Sequence, residues 1–295
     1  MTAIMFSGQG AQKNGMGKEL YYNFPICRRT FDEASEAAGF DMAKLCFREN
    51  ELLNRTEYAQ PALLTAGIAA YRLFVEREGP PDILMGLSLG EYTALTAAGV
   101  FNFADAVRLV HRRGKITAEH AGDGGILVSI GIASDVLEEI CRNVTGFAAC
   151  ANYNTPEQTV LAGEHTALEA CAAEIKKAGG KTMPLKVSGP FHSPLMGKAA
   201  EIFKGKLESI TAQASVDNHP RIISNVDAEI FNPEQYIEIL TKHMTSPVRW
   251  LDCVQKAISM GADTFIELGS GKTLVNFVKK IDNSVKTYAF EEATT

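Results

Sequence analysis

The sequence contains no run of about 20 apolar residues, the length that a helix needs to span a bilayer. Its first segment, MTAIMFSGQG, lacks the basic stretch that precedes the apolar core of a secretory signal. Positive charge is also scarce, because 29 Lys and Arg residues face 35 Asp and Glu residues and the formal net charge is -6. Nucleic acids and anionic membranes attract basic surfaces. We therefore expect a soluble cytoplasmic protein whose main task is binding neither nucleic acid nor membranes.

Cysteine pairs with metal-binding or redox spacing are absent too. The six cysteines are widely separated and none belongs to a C-x-x-C motif. Such spacing disfavours a zinc site or a disulfide framework and is typical of chains in a reducing compartment. We expect no metal site, and six buried free thiols: Cys27, Cys46, Cys141, Cys150, Cys171 and Cys253.

What is present is an ordinary globular composition that favours an α/β fold. Hydrophobic residues make up 46% of the 295 residues and charged residues 22%, which suffices for a sizeable core. Short apolar runs predict buried strands at Ala3 to Phe6 and at Asp82 to Gly86. The segment PALLTAGIAAYRLFVERE predicts a helix that is buried on most sides and has Pro61 in its first turn. Helical periodicity returns from Phe103 to about Ala121.

A cluster of glycines in the segment GDGG breaks this periodicity and marks a boundary. After it, the pattern runs as strand, helix, two strands, helix and strand, an order that resembles a small ferredoxin-like unit. Longer alternation of helices and strands then resumes. We therefore predict a large α/β domain formed by residues 1–123 and 189–295, into which residues 124–188 are inserted as a small domain.

The segment MGLSLGEYTAL, residues 85–95, combines a strand end, a serine between two glycines and a helix start. A G-x-S-x-G turn of this kind exposes its serine at the end of a strand, and the following helix directs N–H groups toward a developing oxyanion. Leu89 would provide one such N–H group. Two interpretations are open: Ser88 is a nucleophile, or Gly86 and Gly90 merely allow a strand to turn into a helix.

A serine nucleophile needs a base, and His192 is the candidate that the sequence favours. The segment SGPFHSPLM places it between two prolines, on a loop where a rigid backbone can hold an imidazole at the rim of a pocket. The alternative is a histidine that only caps the next helix. No local signature selects an acid to orient the base. Asp227, Asp252 and Glu267 are candidates, and a backbone carbonyl would serve equally.

Other motifs have competing interpretations. The segment IELGSGKTL lacks the first glycine of a Walker A motif, since Ile266 occupies that position, so a tight turn from strand to helix is favoured over nucleotide binding. Of the adjacent Arg112 and Arg113, one could point inward and bind a carboxylate, although such a pair is usually solvated. Asn152 and Asn154 precede a Thr-Pro turn and are predicted to be turn formers.

Seven segments, in this order, resemble the malonyl-CoA:acyl carrier protein transacylases: FSGQGAQKNGMG, QPALLTAG, GLSLGEYTAL, AVRLVHRRGK, NYNTPEQTVLAG, SGPFHSPLM and SPVRW. The similarity runs from Ile4 to about Ile281, so it is far more specific than the serine turn alone. It implies an α/β-hydrolase-like large domain with an inserted ferredoxin-like small domain. It also implies an acyltransferase that loads malonyl groups onto the carrier proteins of fatty-acid or polyketide synthesis.

By matching positions, the resemblance implies roles for individual residues. Ser88 would be the nucleophile and His192 its base, while the backbone N–H groups of Gln9 and Leu89 would form the oxyanion hole. Arg113, the arginine followed by Gly-Lys, would bind the free carboxylate of the malonyl group. Malonyl-CoA and the phosphopantetheine thiol of a carrier protein would be the two substrates. No permanently bound cofactor is implied, and we expect a monomer.

Two positions depart from the family pattern. In this family a main-chain carbonyl takes the place of the triad acid, and the matching residue is His243, where glutamine is common. The family commonly has a histidine directly before the nucleophile, and in this sequence Leu87 occupies that position. We expect altered packing there and retained activity. Phe191 resembles an aromatic residue of members that select malonyl over methylmalonyl groups. Two rival functions stay open: a proofreading thioester hydrolase on the same scaffold, and a non-catalytic protein that only docks a carrier protein.

Overall fold

The computed structural model describes residues 1–185, 189–213 and 220–290, and it contains two β-sheets with helices packed around them. The strands are, in chain order, β1 Thr2–Phe6, β2 Ile83–Gly86, β3 Gly125–Ile130, β4 Ala148–Thr155, β5 Gln158–Gly163, β6 Lys181–Leu185, β7 Arg221–Ile222, β8 Thr264–Leu268 and β9 Lys286–Ala289. The helices are α1 Lys18–Asn23, α2 Pro25–Ala38, α3 Met42–Phe47, α4 Thr56–Glu78, α5 Leu89–Ala97, α6 Phe103–His120, α7 Ser134–Asn143, α8 His165–Lys177, α9 Gly197–Leu207, α10 Tyr236–Thr245, α11 Trp250–Ser259 and α12 Thr273–Ile281.

The larger sheet is parallel, with strand order β7-β2-β1-β8-β9. Its central strand β1 is buried from Ala3 to Phe6, which explains why this strand appears in the sequence as a continuous apolar run rather than an alternating one. Phe6 lies opposite Gly86 in the register between β1 and β2. The loops after these strands, which carry Gln9 and Ser88, therefore leave the sheet side by side at its carboxyl edge.

The smaller sheet is antiparallel, with strand order β4-β5-β3-β6, and α7 and α8 pack on it. Its elements follow the predicted order of strand, helix, two strands, helix and strand. The chain is thus a mixed α/β protein with one parallel and one separate antiparallel sheet. The domain boundaries stay a prediction. Residues 186–188, at the second boundary, and residues 214–219 and 291–295 of the predicted large domain lie outside the described part of the chain.

Strand β4 connects the smaller sheet to the rest of the molecule. The N–H of Val248 donates to the carbonyl of Ala151 at 2.8 Å, and the N–H of Tyr153 donates to the carbonyl of Val248 at 2.9 Å. The prediction that Asn152 and Asn154 form a turn is wrong, because both lie within β4 and are buried. Pairing of β4 with β5 and with Val248 overrides the local preference of asparagine for turns.

Helix α4 packs against α2, α5 and α6 and is buried along most of its length. The predicted place of Pro61 in its first turn is wrong, since the helix begins at Thr56 and Pro61 lies inside it. The upstream turn forms because the N–H of Ala59 donates to the carbonyl of Arg55 at 2.8 Å, and a proline this near the helix start removes only one further hydrogen bond. Gly114 of α6 lies against this turn, where a Cβ atom would be 2.6 Å from the carbonyl oxygen of Thr56.

Several local predictions are confirmed. Helix α6 spans Phe103–His120, and a tight turn joins β8 to α12. All six cysteines are free and buried.

Within the three described ranges, no helix is long and apolar enough to cross a membrane. The same ranges contain no group of three or more His, Cys, Asp or Glu side chains that could hold a metal ion.

The start of α5 crosses β1 and β2 at very short distances. A Cβ atom on Gly86 would lie 2.0 Å from the carbonyl carbon of Gly90, and a Cβ atom on Gly90 would lie 2.0 Å from the carbonyl oxygen of Phe6. No side chain fits at either position unless the backbone moves. Both glycines are therefore required by the packing of this helix on the sheet.

We predict that Gly90→Ala lowers the free energy of unfolding by roughly 3 kcal/mol or more, because the new methyl group must displace the backbone of β1. Gly205→Ala in α9 is the matched control. No atom lies within 4 Å of its Cβ position, so this change should stabilise the chain by up to about 1 kcal/mol. Urea unfolding measures both values. A Gly90→Ala protein as stable as the unchanged chain would show that α5 moves off the sheet without cost.

Candidate active site

Ser88 occupies the turn between β2 and α5 in a backbone conformation that serine rarely adopts. Its φ and ψ angles are 54° and −104°, so the turn is strained, as the sequence pattern predicts. The N–H of Ser88 donates to Oδ1 of Asn225 at 2.7 Å, and Nδ2 of Asn225 donates to the carbonyl of Gly86 at 2.8 Å. One amide side chain therefore holds the backbone on both sides of the turn.

The hydroxyl oxygen of Ser88 lies 2.7 Å from Nε2 of His192. On the other side of the imidazole, Nδ1 lies 2.9 Å from the main-chain carbonyl oxygen of His243. A carbonyl oxygen only accepts hydrogen bonds, so Nδ1 carries the ring proton and the lone pair of Nε2 faces the Ser88 hydroxyl. This is the geometry that a hydroxyl nucleophile and a general base require.

The carbonyl that faces His192 comes from a helix end. His243 lies in the last turn of α10, where the helix leaves its carbonyl groups without internal donors. The negative end of the helix dipole therefore points at the imidazole and would stabilise a positive charge on it. A helix end thus stands where a triad would have a carboxylate.

The three carboxylates that the sequence offers for this place have other partners. Asp227 accepts from a backbone N–H two residues further along the chain. Asp252 pairs with Arg249 at 2.7 Å. Glu267 accepts from the hydroxyl of Ser7 at 2.9 Å. The backbone alternative considered from the sequence is the one that the geometry favours.

Burial keeps the imidazole of His192 neutral. The residue is 6% exposed. Desolvation and the positive charge of Arg113 lower its pKa from 6.5 to about 4, although the backbone bonds to His243 and Ser246 act in the opposite direction. At neutral pH the ring is therefore in the state that accepts a proton from a hydroxyl.

A small cavity opens beside the Ser88 hydroxyl. Its lining brings together six residues singled out from the sequence: Gln9, Ser88, Leu89, Arg113, Phe191 and His192. Four further residues complete it: Gln60, Thr117, Met196 and Met244. Six polar side chains and four apolar ones therefore meet in one small concave site, as in sites that orient a small ligand through a few polar groups.

Arg113 is the inward member of the arginine pair, while Arg112 is exposed on the outer face of α6. The Arg113 side chain is buried, its Nη1 donates to Oε1 of Gln60 at 3.0 Å, and its guanidinium carbon lies 5.0 Å from the centroid of the Tyr92 ring. In the described part of the chain no carboxylate forms an ion pair with it. A buried guanidinium with neutral partners keeps N–H donors available for an anionic ligand.

Leu89 and Gln9 lie on the two neighbouring loops at the carboxyl edge of the sheet. Leu89 is the first residue of α5, so its N–H has no acceptor within the helix. The side chain of Gln9 donates to Oγ1 of Thr56 at 3.1 Å, which fixes its loop against α4. Phe191, beside the base, packs against both the core around α4 and the inner face of the smaller sheet.

Besides Thr117, Met196 and Met244 of the lining, three further residues of the site are not predicted from the sequence. Gln60 reaches the cavity from α4, and Asn225 reaches the serine turn from the loop after β7. Glu91 lies one helical turn after Ser88 and is fully buried. A charged residue inside the otherwise apolar segment GLSLGEYTAL is the signal that could have found it. Leu87 is partly buried and packs against the apolar cluster beneath α11 and α12.

Residues 4–291 of this chain match a family model that is described as "Acyl transferase domain". A malonyl CoA-acyl carrier protein transacylase from Bacillus subtilis (strain 168) is 40% identical over 301 aligned positions, which cover 99% of this chain and 94% of the relative. The protein of the same name from Escherichia coli (strain K12) is 37% identical, covering 98% of this chain and 96% of the relative.

Solved structures of transacylases are also similar to this chain. The crystal structure of a malonyl CoA-acyl carrier protein transacylase from Clostridium perfringens superimposes with a TM-score of 0.94 at 39% identity, covering 99% of this chain and 95% of that one. A second relative, a malonyl-transacylase in complex with its type II polyketide acyl-carrier protein, has a TM-score of 0.92 at 36% identity. That match covers 98% of this chain and 94% of the relative.

We predict that the imidazole of His192 titrates at about pH 4. Replacing the cationic neighbour, in Arg113→Gln, should raise this pKa, because the positive charge of Arg113 disfavours the imidazolium. Heteronuclear NMR of labelled histidine follows both proteins as the pH is lowered. A titration of His192 near its ordinary value of 6.5 would contradict the buried environment described above.

Proposed function

Because the chain belongs to the acyl transferase family, we propose that it transfers a malonyl group from malonyl-CoA to the phosphopantetheine thiol of an acyl carrier protein. Its curated relatives are named malonyl CoA-acyl carrier protein transacylases, and one structural relative is held in a complex with an acyl-carrier protein. The observation that carries the proposal is one cavity in which a serine hydroxyl bonded to a buried imidazole meets a buried guanidinium.

The first half of the reaction acylates Ser88. Its hydroxyl proton moves to Nε2 of His192 while its oxygen attacks the thioester carbonyl carbon of malonyl-CoA. The N–H groups of Gln9 and Leu89 stabilise the negative charge that develops on the carbonyl oxygen. The carbon–sulfur bond then breaks, and the thiolate of CoA takes the proton from the imidazolium.

The second half transfers the acyl group. The thiol of the phosphopantetheine arm gives its proton to Nε2 of His192, and its sulfur attacks the ester carbonyl on Ser88. The bond between the acyl carbon and the Ser88 oxygen breaks, and the proton returns to the serine hydroxyl. The carbonyl of His243 holds the base in the same tautomer throughout. Both halves thus use one base and one oxyanion hole.

Arg113 selects a carboxylated acyl group. In a water-poor cavity, the carboxylate of the malonyl group forms charge-assisted hydrogen bonds with the guanidinium, whereas an acetyl group leaves those donors unpaired. Phe191 sets a second limit, because its ring crowds a methyl group on the carbon between the two carbonyls of a methylmalonyl unit. One methyl group discriminates by about 1–3 kcal/mol, so this second limit is the weaker one.

We also propose how the two sheets divide the chain into domains. Residues 1–123 and 189–295 form an α/β-hydrolase-like domain, which is supported by the parallel sheet and by the serine turn at its carboxyl edge. Residues 124–188 form an inserted ferredoxin-like domain, which is supported by the order of its strands and helices. We place this enzyme in the cytoplasm as a monomer. Its chemistry uses malonyl-CoA as substrate and needs no bound cofactor.

We predict that Arg113→Ala lowers malonyl transfer to a carrier protein bearing its phosphopantetheine arm by about 100-fold, because a buried partner of the substrate carboxylate is lost. Transfer of an acetyl group should change only a few-fold, so the preference for malonyl collapses. Arg112→Ala, on the exposed face of the same helix, is the matched control and should leave both rates unchanged.

The rival functions give other outcomes in the same assay. A thioester hydrolase would release malonate and leave the carrier protein unloaded, and a docking protein would bind the carrier protein without loading it. Equal losses of malonyl and acetyl transfer in Arg113→Ala would contradict the role of the guanidinium. Malonyl transfer that survives in Ser88→Ala would contradict the mechanism itself.

A further inference from the structure

Glu91 is a buried carboxyl group directly behind the serine turn. It lies in the first turn of α5 and has no exposed surface. Its Oε2 atom accepts a hydrogen bond from the N–H of Asn225 at 3.1 Å and lies 3.5 Å from Nε2 of His243. Its Oε1 atom has no hydrogen-bond partner within the described residues. A charged group in such a place is costly to bury, and the proposed reaction does not use it.

On one side, Glu91 acts on the nucleophile through Asn225. The side chain of Asn225 binds the N–H of Ser88 and the carbonyl of Gly86, so its backbone position fixes both ends of the strained turn. The carboxyl group of Glu91 holds that backbone. A change at Glu91 therefore reaches the backbone N–H of Ser88 through two hydrogen bonds, one to the backbone and one to the side chain of Asn225.

On the other side, Glu91 acts on the base through His243. The imidazole of His243 is fully buried, and neither ring nitrogen has a hydrogen-bond partner in the part of the chain that the structure describes. The carbonyl of the same residue orients His192, and the two imidazole rings are 5.0 Å apart. The carboxyl group of Glu91 faces this ring, with Oε2 at 3.5 Å from Nε2 of His243.

The surroundings of Glu91 and His243 shift both pKa values so that the neutral form of each group is favoured. Burial raises the pKa of Glu91 to about 8. Burial, His192 and Arg113 together lower the pKa of His243 well below 6.5. At neutral pH the carboxyl group of Glu91 therefore keeps its proton, which it can donate toward Nε2 of the neutral imidazole of His243, 3.5 Å away. The ionisable groups that face this pair from the surrounding elements are Tyr92, Arg113, His192, Asp227 and Cys253.

We propose that Glu91 is a positioning residue that shares one proton with His243 and thereby ties the turn of the nucleophile to the helix end that orients the base. The inference rests on the proposed function, because it concerns the same serine and imidazole. When the pair loses its proton in alkaline solution, a negative charge appears behind His192 and increases the proton affinity of that ring. The proton affinity of His192 therefore changes in alkaline solution, far above the pH at which its own ring titrates.

The test combines NMR with kinetics from about pH 6 to about pH 9 on the full chain. In the unchanged protein, the NMR signals of His192 should show an inflection near pH 8, where Glu91 loses its proton. Glu91→Gln should remove this inflection, because an amide does not titrate. His243→Gln should move it to lower pH, because the new amide N–H stabilises the ionised carboxylate of Glu91.

Two further variants separate positioning from general stability. Glu91→Ala should lower kcat by about tenfold with an unchanged KM for malonyl-CoA, because the anchor of Asn225 is lost while the cavity lining is intact. Glu138→Gln is the matched control for Glu91→Gln, because it also replaces a carboxylate with an amide, here on α7, where Glu138 accepts from the hydroxyl of Tyr153. It should leave the pH profiles of the NMR signals and of kcat unchanged. If Glu91→Ala does not fold, Glu91→Gln and His243→Gln decide the question.

Identical NMR and kinetic profiles of Glu91→Gln and the unchanged protein would overturn the inference and leave the proposed function intact. A profile of His243→Gln that does not move would overturn it as well. Failure of the unchanged protein to load a carrier protein would instead refute the function. The NMR inflection does not depend on turnover, so the two failures are distinguishable.

Discussion

The close crossing of α5 over β1 and β2 is the constraint on which the rest of the site depends. The backbones approach so closely that only glycine fits at positions 86 and 90, and Ser88, midway between them, has a φ angle of 54°. That conformation projects the Ser88 hydroxyl from the carboxyl edge of the sheet. It also places the first free N–H of α5 beside the hydroxyl. The strain is held in place by the two hydrogen bonds of Asn225.

Two helix ends meet at this point with opposite polarity. The amino end of α5 faces the place where an oxyanion develops in the proposed reaction, and the carboxyl end of α10 faces the imidazole that becomes positive. Each developing charge therefore meets a fixed dipole of opposite sign. A carboxylate next to His192 is not needed for this, and a neutral carbonyl avoids a full negative charge close to the malonyl carboxylate. In the proposed reaction, Arg113, the cationic group of the cavity, is left for the substrate.

Local patterns in the sequence predict those parts of the site that lie within one segment. The serine turn and the loop of His192 each belong to a short motif, and the order of elements in the smaller sheet follows from periodicity. The local pattern leaves Arg112 and Arg113 open, and only the family resemblance selects Arg113. Gln60 and Asn225 are not predictable in this way, because each meets its partner from a distant part of the chain. The buried Asn152 and Asn154 show the converse error, since strand pairing overrides their local preference for turns.

In the proposed reaction, the strained turn presents Ser88 as the group that carries the acyl chain. The most direct measurement is peptide mapping by mass spectrometry after brief exposure of the protein to malonyl-CoA, with no carrier protein present. We expect one malonyl group, located on the peptide that contains Ser88 and absent from the same peptide of Ser88→Ala. No malonyl adduct, or an adduct on a different residue, would contradict this role of Ser88.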